Sequence, residues 1–71
     1  MLAVNDLVRI AAAGGGLILQ APGYSVSDLI RIASASSSKR ARLILKSAAR
    51  LSVDDLVRVA AAGGGCVSFE F

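Results

Sequence analysis

At 71 residues, with 55% hydrophobic and 18% charged side chains, the chain has room for one domain and too much apolar character to remain disordered. One cysteine and no histidine exclude a disulfide framework and the usual metal set as reinforcement for so small a core, which leaves efficient packing or association with another surface. The formal net charge of +3 is modest, and acids and bases are interspersed except in one stretch.

One phrase recurs three times along the chain. Val4-Asn5-Asp6-Leu7-Val8-Arg9-Ile10-Ala11 returns as Val26-Ser27-Asp28-Leu29-Ile30-Arg31-Ile32-Ala33 and again as Val53-Asp54-Asp55-Leu56-Val57-Arg58-Val59-Ala60. Such self-similarity marks a repeat protein, in which each unit stacks on its neighbour because it cannot bury its apolar face alone. Residues 1–71 therefore read as a single repeat domain, with units over about 3–23, 24–50 and 51–71.

The stretch from Leu2 to Ala21 is apolar enough to suggest a membrane span, but Asn5, Asp6 and Arg9 interrupt it and Gly14-Gly15-Gly16 would break a helix. Neither a membrane segment nor a secretory leader is expected, and the lone thiol suits a cytoplasmic, reducing compartment. The first helix is expected from Val4. Its polar positions are only Asn5, Asp6 and Arg9, so its apolar face is wider than a lone surface helix needs and should be flanked on both sides. Gly14 to Gly16 close it, because glycine adopts the left-handed conformation that ends a helix at little cost. Leu17-Ile18-Leu19 is the first strand, and Pro22-Gly23 the turn beyond it.

Ser25 followed by Asp28, and Ser52 followed by Asp55, carry the capping-box spacing for the second and third helices; the first has Ala3 in that place. Asp6, Asp28 and Asp55 fall in first turns, where the helix dipole favours a carboxylate, with Arg9, Arg31 and Arg58 three residues on as candidate ion-pair partners. In the middle unit Ser36-Ser37-Ser38-Lys39-Arg40 replaces the glycines, and its helix should run about one turn longer. Leu43-Ile44-Leu45 is the second strand. Gly63 to Gly65 end the third helix, and Val67 to Phe71 form the third strand.

Helix alternating with strand implies an α/β fold: a short solenoid with a parallel three-stranded sheet, right-handed crossovers and the helices on one face. Leu17, Leu19, Leu43, Leu45, Val67 and Phe69 would then face the helices. The opposite face would carry Ile18, Gln20, Ile44, Lys46, Ser68 and Glu70, with Lys46 between Gln20 and Glu70. Counting from Asp55 sets Cys66 opposite Leu17, whereas an alternating third strand requires Val67 there; the alternating register is the expectation.

From Leu43 onward, Leu43-x-Leu45-x-x-Ala48-x-x-Leu51-Ser52-x-x-Asp55-Leu56-x-x-Val59-Ala60 resembles the cysteine-containing type of leucine-rich repeat, with Ala48 where that family places cysteine. Leu17-x-Leu19 through Leu29 is similar, one residue shorter, with Pro22 near the turn position. The leucine that family places before each strand is replaced by a glycine or by Lys39 and Arg40. The resemblance implies a curved α/β solenoid whose strand face, here Ile18, Ile44 and Lys46, binds other proteins. The absence of polar end caps departs from the family.

No catalytic constellation emerges. The triple glycines follow a helix and precede a strand, the reverse of a phosphate loop, so they read as caps. Cys66 has no histidine to activate it, and Asp54-Asp55 lies at a helix N-terminus where capping explains both acids. A non-enzymatic protein with no cofactor is expected. Lys39, Arg40, Arg42, Lys46 and Arg50 gather five of the eight basic residues into twelve positions without an acid. They form a candidate anion or nucleic-acid contact, although no aromatic accompanies them as a stacking platform.

The ends of the array are the most informative region. Both outer strands would be edges without the lysine or bulge that usually protects one, and the first and third units share Asp-Leu-Val-Arg-x-Ala-Ala-Ala-Gly-Gly-Gly. A third unit can therefore receive the first unit of another copy. Self-association into a homo-oligomer or filament is the leading expectation, through Leu7, Leu17, Leu19, Val57, Val67 and Phe69; a protein-interaction module and a nucleic-acid binder are the alternatives.

Overall fold

The helices begin where the sequence supplies acceptors for their first free amides. Ser25 Oγ accepts from the Asp28 amide at 3.1 Å and Ser52 Oγ accepts from the Asp55 amide at 3.2 Å. Ala3 has no such oxygen, and there the Asp6 carboxylate reaches back to the Ala3 amide at 3.3 Å, so the first helix keeps the complementary half of the capping box. The computed structural model describes residues 3–71; Met1 and Leu2, the latter opening the apolar stretch, lie outside the described residues.

Six principal elements follow in strict alternation: α1 (Val4–Ala12), β1 (Leu17–Gln20), α2 (Val26–Lys39), β2 (Leu43–Lys46), α3 (Val53–Gly63) and β3 (Val67–Phe69). A single 3₁₀ turn leads from each of the first two strands toward the next helix, Ala21–Gly23 and Ala48–Arg50. The sheet is parallel in the order β1-β2-β3 and is not closed. Leu17, Leu43 and Val67 stand in register, as do Leu19, Leu45 and Phe69, which is the alternating register. The third strand is shorter than the expected 67–71, yet pairing continues past it: the Glu70 amide donates to Leu45 O at 2.8 Å, and Glu70 O accepts from the Ala48 amide at 3.0 Å.

The helices form one layer on the sheet, with α1 and α3 each packed against α2. Leu29, Ile32 and Ala33 of α2 meet Leu43 and Leu45 of β2 in the most buried part of the core, joined by Leu7, Ala11, Leu19 and Val59. The helix flanked on both sides is thus α2. Among the described residues the breadth of the α1 apolar face has no second cover, and Ile10 remains 37% exposed. Among the described residues no helix is long and apolar enough to cross a membrane.

The helix ends divide the glycines by role. Gly14 (φ 98°) and Gly64 (φ 56°) hold the left-handed position that follows α1 and α3. Gly63 is instead a buried helical residue, where a Cβ would overlap a Val67 methyl and touch Ala33. Close approach of α3 to β3 and α2 sets its identity. After the 14-residue α2, the left-handed position is filled by Arg40 (φ 55°), and the Ala41 amide returns to Ser36 O at 2.9 Å. Ser36 itself is buried, its hydroxyl donating to Ile32 O at 3.0 Å.

Candidate association surface

Because the three helices carry the same phrase, equivalent residues can be compared one by one, and the comparison separates two faces. One face points toward the preceding unit. It holds Asp6, Ile10 and Ala13 in α1 and just after it, and Asp55, Val59, Ala62 and Gly63 in α3, whereas Gly14 lies beside Lys39 of the following unit. Ile32 and Val59 are fully buried on this face, whereas the equivalent Ile10 is exposed. The other face points toward the following unit. There Val4 and Val8 of α1, and Val26 and Ile30 of α2, pack against the core, while the equivalent Val53 and Val57 of α3 are 74% and 60% exposed. Leu56 is half-buried where Leu7 and Leu29 are buried. The contact of α3 with Ala33 through Gly63 fixes which face of α2 meets which face of α3.

The molecule therefore ends in two unlike apolar surfaces, each with the composition of an internal junction. A shallow depression lined by Asp6, Arg9, Ile10 and Ala13 lies on the outer side of α1, and a second, lined by Ile18, Leu19, Gln20, Gly23 and Tyr24, lies at the β1 end of the sheet. At the internal junction between α1 and α2, Arg31 donates to Asn5 Oδ1 at 3.0 Å across the helix pair, so this arginine of the repeated phrase reaches to the preceding unit rather than pairing with its own aspartate as expected. In the sheet, the Leu17 amide donates to Arg42 O and the Leu43 amide to Cys66 O, each at 2.9 Å and each toward the following strand. In register, the equivalent amide of β3 is that of Val67, which faces the free edge.

The residues expected to mediate association divide accordingly. Leu7 and Leu19 lie in the chain's own core, Leu17, Val67 and Phe69 are half-buried at the two edge strands, and Val57 is exposed. Ile10, Val53, Arg9 and Asp54 are exposed on the two end surfaces without being among the expected association residues. Their signal was present in the repeat alignment, but which helical face meets which neighbour follows only from the packing. On the strand face, Ile18 is exposed, Ile44 half-buried and Lys46 exposed, with Gln20 beside Lys46 in register. Gln20 accepts from the Ser47 hydroxyl at 3.1 Å.

Lys39, Arg40, Arg42, Lys46 and Arg50 are all exposed, but they do not share one place. Lys39, Arg40 and Arg42 precede β2 while Lys46 and Arg50 end and follow it, so the strand separates the two groups by roughly 13 Å. Cys66 is a half-buried free thiol just before β3. Among the described residues no three cysteine, aspartate or glutamate side chains gather closely enough to hold a metal ion. Compared with protein families, curated proteins and solved structures, the chain finds no match in any of the three.

Proposed function

We propose that the chain is a non-enzymatic structural protein that associates with copies of itself through the ends of a short solenoid, in an array that closes as a ring or runs on as a filament. The observation that carries this reading is the exposure of Val53 and Val57 at positions whose equivalents pack against the core in both preceding units. A solenoid end of this kind normally carries a polar cap, and an exposed apolar patch on a small protein marks a partner surface. Two edge strands without an inserted bulge, neither carrying a lysine, support it further.

We read the repeat as similar to the leucine-rich type; the strand, 3₁₀ turn and helix order and Ala48, fully buried at the turn position, support that reading. In that class the strand face of Ile18, Ile44 and Lys46 is the other available surface, and it is the place to look if copies do not associate.

Val67→Pro tests the proposal. It removes the amide at the free edge of β3 without deleting an amide that bonds to β2, so circular dichroism should keep its helical signal while the particle mass in light scattering falls to that of a single chain. Unchanged mass in the variant would count against edge-mediated association.

A further inference from the structure

We infer that copies join head to tail, the α3 and β3 end of one chain receiving the α1 and β1 end of the next, with Arg9 of the incoming copy paired to Asp54 of the receiving one. This rests on the self-association reading and gives it a polarity. The two end surfaces are complementary to each other rather than to themselves: Val53, Leu56 and Val57 correspond to the α1 and α2 residues that pack toward a following helix, and Ile10 and Ala13 to the α2 and α3 residues that receive them. Joining the two ends continues an interface that the chain already forms twice. A twofold pairing would set two like surfaces together instead.

Charge decides the polarity further. At the first internal junction, Arg31 donates to Asn5. The residue equivalent to Asn5 is Ser27 in the second unit and Asp54 in the third, so the position is neutral wherever the following unit belongs to the same chain and acidic only where it faces outward. The arginine that would meet Asp54 at the next step is the exposed Arg9 of another copy. A bond from a guanidinium to a neutral amide inside the chain thus becomes an ion pair with a carboxylate between chains, which is stronger and disfavours wrong orientations. In the sheet the same step brings the free Val67 amide to Gly16 O of the next β1, the place that Arg42 O and Cys66 O occupy for Leu17 and Leu43.

Arg9→Asp and Asp54→Arg, each at an exposed site, test the pairing by sedimentation velocity of the full chain over a hundredfold concentration range. Each variant alone places like charges at the junction and should associate at least about tenfold more weakly than the unaltered chain. An equimolar mixture of the two restores an opposite-charge pair at every alternate-copy junction, as does the double variant, and both should recover assembly. Recovery supports the head-to-tail contact. Association unaffected by either substitution overturns it while leaving self-association in place, and sensitivity to Asp54→Arg alone overturns it in favour of an α3-to-α3 twofold. An unaltered chain that stays monomeric throughout overturns both readings.

Discussion

Arg40 and Gly63, both at helix ends, show backbone conformation and packing making opposite demands on the Cβ. Arg40 holds a left-handed backbone (φ 55°) at the place where α1 and α3 are followed by glycine. That geometry costs a side chain with a Cβ about 1–2 kcal/mol, of which its charge beside the helix C-terminus recovers roughly 0.3–1 kcal/mol. Arg40→Gly should therefore stabilise the fold by about 0.5–1 kcal/mol, read as a rise of a few degrees in Tm. Gly63 is the reverse case. Its backbone is helical, so alanine would suit it locally, but the added methyl overlaps Val67 on a strand that the stiff β-branched side chain cannot easily vacate. Gly63→Ala should cost about 1–3 kcal/mol despite the better helix propensity, and a Tm equal to or above that of the unaltered chain would contradict this packing.

At the scale of elements, each helix is started by a different share of one capping motif. Ser25 and Ser52 supply the side-chain oxygen, and in α1 Asp6 supplies the returning carboxylate without it. Ser52→Ala should lower stability by about 1 kcal/mol, and Ala3→Ser should raise it by a similar amount, because it completes the box at a helix whose backbone entry angle (φ −73°, ψ 160°) already matches those of Ser25 and Ser52. Equal denaturant midpoints for Ala3→Ser and the unaltered chain would mean that Asp6 alone saturates the end of α1. The extra length of α2 has a different origin. With serines in place of glycines nothing stops the helix until Lys39, and the Ala41 amide then closes it on Ser36 O.

At the scale of the whole fold, the central helix has a helical neighbour on each side and, among the described residues, the outer two have one each, a distribution that follows from stacking three similar units. A core built this way gains stability from whatever covers its ends. If copies supply that cover, Tm should rise with protein concentration, on the order of 10 °C between a concentration near the dissociation constant and one a hundredfold above it. Differential scanning calorimetry at two concentrations checks this, and a concentration-independent Tm would contradict assembly of the folded chain.

The sequence by itself determined the alternation of helix and strand, the starts of α2 and α3, the longer middle helix and the pairing of the first two strands. Each of these is a local property: a capping serine, a run of β-branched or leucine residues, an alternation of period two. It also determined that the units resemble one another, and hence that their ends do. Tertiary structure alone decided the rest. The packing made α2 rather than α1 the helix with two neighbours, set Val67 rather than Cys66 opposite Leu43, and made β2 a divider between basic residues that are close only in sequence. Above all it assigned Leu7 and Leu19 to the chain's own core and left Ile10, Val53 and Val57 outside. The repeated phrase is nearly the same in every unit, so no local signal can say which copies of a residue are covered. Burial depends on whether a neighbouring unit is present, and that is a property of position in the stack.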